Sequence, residues 1–457
     1  MVAQGNEDIQ VSSRNIQGEE PQRSGREGLG REKGKMRVYI ASSGIGLGHI
    51  SRLTPIIEEL TRRGHDIVVS TYLDGLKYAR AKGLKTVEAV PISFRVRGDG
   101  TVDYKQTAAR SGLSLGLRRF LRQVIVEIKN IKGTRPDIII SDSRGSTLVA
   151  AKLLGIPSIL IINQFRIEII RRPSSGRLSL LDRLFFIFAS IFWIFVRTII
   201  MGLWGQSLAI VIPDFAGPYT ISQNNLTIPR RYSRKVIFVG PIVQKNPRDL
   251  PDIEEIRRRL GFSGGGKIIY ASVSGPKIER RWLTGRLLET LPKIGGGYNF
   301  IMSCGEPGGE NSPVKLNNLT VYRWIDDEVQ LMILKLSDLV ICRSGHGTVT
   351  KALTYGKPLI LIPTPDHTEQ YGNARRAAEL GVALMIEQSE LSAEKLSKTM
   401  NEILNTTKYR ENAERISSVA SRFKSADAVA DLVEKLAGTK PDPPKILQPK
   451  MFLVYPL

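Results

Sequence analysis

The chain has 457 residues, 42% hydrophobic and 24% charged, with a formal net charge of +22. That length exceeds one comfortable core and argues for two domains, and the ordinary apolar content excludes a disordered or fibrous chain. The positive excess calls for a polyanionic partner, whether nucleic acid, anionic headgroups or phosphorylated substrates. Two cysteines, Cys304 and Cys342, lack CxxC spacing, so neither a disulfide framework nor a zinc site is expected.

Residues 1–35 carry almost no apolar side chains and read as a disordered extension before Met36. VYIA then reads as a strand and SSGIGLGH (42–49) as a Gly-rich turn. The helix that follows puts Leu53, Ile56, Ile57 and Leu60 on one face, with Pro55 expected in its first turn. Gly44, Gly46 and Gly48 do not have the GxGxxG spacing of a dinucleotide turn. His49 ends that turn at a helix mouth, where a neutral imidazole suits general-base work; the alternative is a histidine bonded to backbone.

PDIIISDSRGSTLVAAKLLGIPSILIINQF (136–165) reads as strand, helix, strand. Asp142 follows its first strand. It either orients His49 or caps the next helix, and both readings stand. LFFIFASIFWIFV (184–196) is the most apolar stretch, and 184–204 is borderline for a bilayer span, with Arg197 interrupting it. Arg171, Arg172, Arg177 and Arg183 precede it, so it reads as a helix lying in a membrane interface or as a buried core helix. Arg118, Arg119, Arg122 and Lys129 add a basic face. SLAIVIPDF (207–215) and VIFVGPIV (236–243) close a first domain at 36–243, and 244–252 reads as a linker.

The second domain, 253–437, opens with a helix and the strand KIIYASVSG (267–275). Its centre is 338–374. DLVIC is a buried strand, RSGHG a Gly-rich turn, Thr348 to Thr354 a helix stopped by Gly356 and Pro358, and PLILIP a second strand. Such βαβ units bind ligands at the carboxyl ends of their strands, and a Gly-rich turn opening a helix suits a phosphate. The next turn, 364–374, holds Asp366, His367, Glu369, Gln370 and Asn373, groups that bond hydroxyls. Residues 438–457 form a Pro-rich tail.

The stretch 338–374 resembles the donor-binding signature of glycosyltransferases with two facing Rossmann-like domains, the α/β GT-B fold. It is most similar to the bacterial N-acetylglucosaminyltransferases that form lipid II. It also resembles the eukaryotic transferases that build chitobiose on dolichyl-diphosphate, and it suggests an archaeal counterpart in N-glycan assembly. The resemblance implies an inverting hexosyltransferase that moves N-acetylglucosamine from UDP-GlcNAc to a polyprenyl- or dolichyl-diphosphate sugar. The place implied is the cytoplasmic face of the membrane, on an anionic surface. His49 would be the base, with Asp142 beside it. Arg343, Ser344, Gly345, His346, Gly347 and Thr348 would hold the diphosphate, with Ser274 and Gly275 as a second phosphate-facing turn. Trp324 and Ile325 would read the base, and Glu369, Gln370 and Asn373 the sugar. Gly46, Gly48, Ser51 and Gln164 would line the acceptor side. Lys351 stands where the family has a ribose-gripping Glu, so nucleotide identity is the least specified feature. No cofactor is implied; Asp326-Asp327 reads as a helix start rather than a metal pair, so a divalent metal is allowed but not required. The rivals are a nucleotide-sugar epimerase of the same fold, a glucosyltransferase acting on a membrane lipid, and a nucleic-acid binder. The last is disfavoured because the basic residues are scattered.

Overall fold

The computed structural model describes residues 34–91, 113–165, 194, 197–262, 265–306, 308–309 and 312–439. The expected extension 1–35 and tail 438–457 lie almost wholly outside the described residues. So do most of 184–204 and its flanking arginines.

The first sheet is fully parallel. It contains β1 (Arg37–Ser42), β2 (Asp66–Thr71), β3 (Thr86–Glu88), β4 (Ile138–Asp142), β5 (Ser158–Ile161), β6 (Ala209–Ile212) and β7 (Val236–Phe238), in the order β3-β2-β1-β4-β5-β6-β7. Its helices include α1 (Gly48–Arg62), α2 (Leu73–Ala81), α3 (Leu113–Thr134) and α4 (Gly145–Leu153). Helices on both faces explain why Ile138, Ile139 and Ile140 form an unbroken apolar run and are all fully buried.

The second sheet repeats the plan with β8 (Lys267–Ser272), β9 (Tyr298–Ser303), β10 (Val314–Leu316), β11 (Leu319–Tyr322), β12 (Leu339–Cys342), β13 (Leu359–Leu361) and β14 (Ala383–Met385). The order is β10-β11-β9-β8-β12-β13-β14, and only β10 runs antiparallel to its neighbour. Around it lie α5 (Ile253–Arg259), α6 (Lys277–Thr290), α7 (Asp327–Leu336), α8 (His346–Thr354), α9 (Thr368–Glu379), α10 (Ala393–Asn405) and α11 (Thr407–Ala420); α12 (Ser425–Leu436) ends the described helices.

In each sheet the strand order reverses beside the first strand: between β1 and β4, and between β8 and β12. A crevice opens at such a reversal, outside the carboxyl ends of the strands. His49 and Asp142 stand at the first reversal, and Gly275 and Ser344 at the second.

Three sequence expectations need correction. The sequence assigns helix α12 to the second domain, but Val429, Leu432, Val433 and Leu436 are buried in the first domain's core with Leu53, Ile56 and Leu60. Each such side chain contributes roughly 1.5–3 kcal/mol by leaving water. Arg63 also reaches Asp431 at 2.6 Å and Glu434 at 3.0 Å. The chain therefore crosses back after α11, and the second domain ends before 437. Pro55 lies well inside α1 rather than in its first turn, because the helix begins at Gly48. The polar segment after β13 is no extended turn, since α9 starts at Thr368 with His367 as its N-cap. By contrast Asp326 does start a helix, its carboxylate accepting from the Val329 N–H at 2.8 Å.

Of 184–204, the described residues include the helical stretch 197–204, whose Trp204 is buried edge-on to Phe165 at 5.4 Å, while Ile199 is exposed. Among the described residues no helix is long and apolar enough to cross a membrane.

Candidate functional site

The turn between β1 and α1 is shaped by close approach. A Cβ on Gly44 would sit 1.6 Å from the Tyr72 carbonyl oxygen, so only glycine fits there. Gly46 has φ +68° and lies against the backbone of Gly275, φ +108°, from the other domain; a Cβ on Gly46 would come within 3.2 Å of it. The two Gly-rich turns thus meet across the cleft. Gly48 opens α1, and the Ser51 hydroxyl donates to its carbonyl at 3.4 Å. Gln164 sits half-buried just beyond β5.

His49 and Arg52, three residues apart, share one face of α1. His49 Nδ1 lies 2.8 Å from Asp142 Oδ1, and Asp142 is fully buried at the end of β4. Arg52 Nε donates to Asp142 Oδ2 at 2.6 Å, and its Nη2 closes a short contact to Oδ1. Asp142 does not cap α4, whose N-cap is Arg144 without a side-chain bond. Burial alone would raise the Asp142 carboxyl, but Arg52 and then His49 outweigh it and hold it far below the usual carboxylate range. A permanent carboxylate at Nδ1 favours the tautomer with Nδ1–H donating, which leaves the Nε2 lone pair free. Arg52 Nη2 also lies 3.1 Å from Nδ1, and a donor there cannot bond an N–H. The Asp142 contact, with complementary charge, is the one that sets the ring.

On the facing side, Gly345 is the N-cap of α8, and Cβ atoms on Gly345 or Gly347 would meet nothing within 4 Å. The start of α8 therefore opens onto free space at Gly345 and Gly347, while the Thr348 N–H is already donated to the Gly345 carbonyl at 3.1 Å. Ser344 Oγ and His346 Nε2 are buried without a hydrogen-bond partner. His346 Nε2 lies 3.1 Å from Asp214 Oδ2 but off the line of a hydrogen bond. The Asp214 oxygens already accept from the N–H groups of Phe215, Ile221 and Ser222 and from the Ser222 hydroxyl. Arg343 differs from expectation: its guanidinium turns inward to Gln388 Oε1 at 2.6 Å and the Ile362 carbonyl at 3.1 Å, over the Trp282 ring. Burial pushes it down to about 10. It braces the turn from behind.

Ser274 and Gly275 close the second turn, where Arg280 Nη1 donates to the Gly275 carbonyl at 3.0 Å and to Asp74 of the first domain at 3.2 Å. Ile325 is buried in the second core, whereas Trp324 packs edge-on to Tyr78 at 6.3 Å. Lys351 Nζ donates to Gln330 Oε1 at 3.0 Å, and burial lowers its pKa against the pull of Asp327.

Gln370 also faces inward. Its Oε1 accepts from the Thr364 N–H at 2.8 Å, and its Nε2 lies 3.5 Å from Glu279 Oε2. Asn373 Nδ2 donates to the Ser344 carbonyl at 2.9 Å and so fixes the Gly-rich turn. Asn225, from the first domain, donates to Asn373 Oδ1 at 2.9 Å. Glu369 is half-buried and accepts from Asn163 Nδ2 at 2.8 Å. Burial opposes its ionisation, yet His367, His346 and the Asn163 bond outweigh it and lower its pKa. A cavity of about 400 Å³ lies elsewhere, between α1, residues 241–246 and the α11–α12 junction, and none of the candidate residues lines it. The chemistry belongs instead to the two facing crevices, where the titratable groups converge. Among the described residues no group of three or more His, Cys, Asp and Glu is arranged to hold a metal ion.

Residues 281–432 match the glycosyltransferase family 28 C-terminal domain, and residues 36–180 match glycosyl transferase family 1. An uncharacterized glycosyltransferase of Methanosarcina mazei is 28% identical over 411 residues, covering 89% of this chain and all of the relative. The UDP-N-acetylglucosamine--N-acetylmuramyl-(pentapeptide) pyrophosphoryl-undecaprenol N-acetylglucosamine transferase of Desulforudis audaxviator is 26% identical, covering 88% of this chain and 99% of its own. A spinosyn rhamnosyltransferase superposes with TM-score 0.60 at 17% identity, over 87% of this chain and all of its own. The chain is a glycosyltransferase of the GT-B fold.

Sequence reasoning missed several residues of this transferase's cleft. Arg52 lies one helical turn from His49, a spacing that signals a shared face. Asn163 stands beside Gln164 at the end of β5. Asp214 just after β6, Asn225 in a 3-10 turn and Glu279 in the first turn of α6 are polar groups that carry no local motif.

Proposed function

We propose that this glycosyltransferase moves N-acetylglucosamine from UDP-GlcNAc, with inversion, to a lipid-linked diphosphate sugar. One observation carries the reading. A half-buried His49, held by the fully buried Asp142, faces a helix-opening turn whose Ser344 Oγ and His346 Nε2 are buried without a hydrogen-bond partner. An unmet buried donor costs roughly 1–3 kcal/mol, which an incoming diphosphate relieves. His49 Nε2 takes the proton of the acceptor hydroxyl, whose oxygen attacks the sugar's anomeric carbon. The bond from that carbon to the diphosphate breaks on the opposite side, and UDP leaves as an anion facing the α8 amides. The Desulforudis relative, matched over nearly its full length, supports this donor and a lipid-diphosphate acceptor.

A membrane location draws support from α3. Leu117, Leu121 and Ile125 are exposed at 56%, 50% and 65%, four residues apart on one stripe, and Arg118, Arg122 and Lys129 are exposed beside them. The test is incubation of the full chain with radiolabelled UDP-sugars and membrane lipids, followed by solvent extraction. Label from UDP-GlcNAc in the lipid phase supports the reading. Consumption of UDP-sugar without acceptor would instead mark an epimerase.

A further inference from the structure

Between the two crevices runs one continuous polar path. Asp142 holds Arg52; Arg52 Nη1 donates to Asn163 Oδ1 at 2.9 Å; Asn163 Nδ2 donates to Glu369 Oε1 at 2.8 Å. Arg52 and Asn163 are buried, at 8% and 5% exposure. The base stands at one end of this path, in the first domain. The start of α9, in the second domain, stands at the other. Arginine only donates and an ionised carboxylate only accepts. A neutral amide is therefore the group that bonds both, and its orientation is fixed with oxygen to Arg52 and nitrogen to Glu369.

We propose that Asn163 is a positioning residue that locks the base-bearing helix α1 to the donor helix α9, so that His49 is aligned for transfer when Glu369 is in place. The inference rests on the proposed transferase reading and takes Glu369 to meet the donor sugar, as the family resemblance implies. It adds that the donor helix and the base are read by one another through Asn163 and Arg52. Breaking the bridge leaves the diphosphate turn, 344–348, intact but misaligns base and sugar.

The bridge has a polarity that can be reversed. Asn163→Asp sets a carboxylate against Glu369 while still accepting from Arg52. Glu369→Gln alone keeps an acceptor for Asn163. In the double variant the new amide at position 369 donates to the new carboxylate at position 163, and the path is restored. Hydrogen–deuterium exchange of 48–53 and 368–373 in the full chain reads the bridge without any donor. Turnover with UDP-GlcNAc, donor KM and UDP affinity read its consequence. The expected result for Asn163→Asp is exchange at least about fivefold faster in both segments and kcat lower by roughly 10–100-fold, with UDP affinity within about twofold. Asn163→Ala, which breaks the bridge without carboxylate repulsion, should show the same pattern more weakly. In the double variant, exchange should return to that of Glu369→Gln, and the effects on kcat should be non-additive by tenfold or more, about 1.4 kcal/mol. Unchanged exchange in both single Asn163 variants, or additive effects in the double, would overturn the proposal. If the wild-type chain transfers nothing from UDP-GlcNAc while the exchange cycle behaves as stated, the donor assignment fails and the bridge stands.

Discussion

Replacing Asp142 with Asn tests the base and the fold together. The carboxylate is fully buried and accepts from His49, Arg52 and Ser143, the last at 3.1 Å. Asn keeps one acceptor oxygen and presents N–H groups to a donor-only Arg52. Removing one partner of a buried ion pair costs roughly 3–5 kcal/mol. Arg52 retains Asn163, so the lower end, about 3 kcal/mol, is expected at pH 7. Because the native Asp142 pKa is depressed, the unfolded chain protonates this carboxyl first as pH falls. Its contribution is present above the unfolded value, about pH 4, and is lost as pH falls through the native value. The stability gap between wild type and Asp142→Asn should therefore be full at pH 7 and narrow below about pH 4. Turnover should drop on the order of 10²–10⁴-fold, since His49 loses the partner that sets its tautomer and balances its charge. Denaturant unfolding at several pH values, with turnover and UDP binding at pH 7, measures all three. Turnover within about threefold of wild type would refute the pairing as catalytic. A gap that stays constant into acid would refute the buried-carboxylate argument.

His49→Ala should keep UDP-sugar affinity and lose turnover by about 10²–10⁴-fold, in single-turnover assays that separate binding from chemistry. Gln370→Ala orphans the Thr364 N–H, so denaturant unfolding should show a loss of about 1–3 kcal/mol. Gly44→Ala places a Cβ 1.6 Å from the Tyr72 carbonyl oxygen, so the turn must move; at least about 1–3 kcal/mol of stability should be lost, with turnover falling alongside it. Replacing Leu117, Leu121 and Ile125 together with Ser should leave unfolding nearly unchanged, because all three are exposed, yet reduce sedimentation with anionic vesicles; high salt should release the wild type at least in part.

Both sheets were legible because strands buried on two faces are written as continuous apolar runs, as in LVIC and IIIS. The Gly-rich turns were legible because backbone approach leaves a compositional mark: Gly44 under Tyr72, and Gly46 against Gly275. Pro55 misled because proline favours a helix start, yet α1 holds it inside through packing of Leu53, Ile56, Ile57 and Leu60 against the sheet. The start of α9 was hidden because Thr368, Glu369 and Gln370 carry no apolar period. Helix α12 shows a plain amphipathic pattern, but periodicity names a face and not the sheet that face will cover. Val429 and Leu432 could as well have belonged to the second core.

The site was legible in halves. His49 and the 343–348 turn each carry a local signal, whereas the bonds that bring the halves together join residues far apart in the chain: Asn163 to Glu369, Asn225 to Asn373, Arg280 to Asp74. Each is a polar side chain at a strand or helix end, where loops and caps also place polar residues, so nothing local separates a bridge from a cap. Arg52 shows why. On an amphipathic helix whose apolar face is Leu53, Ile56, Ile57 and Leu60, an arginine beside that face reads as a solvated edge. It is buried because α1 opens at the strand reversal, where its first turn overhangs β4 and meets Asp142 rather than water. A charge can stay in such a place only if it is paired. The fold therefore selects an arginine with two oxygen partners, Asp142 below it and Asn163 across from it, and the path to Glu369 follows from that pairing.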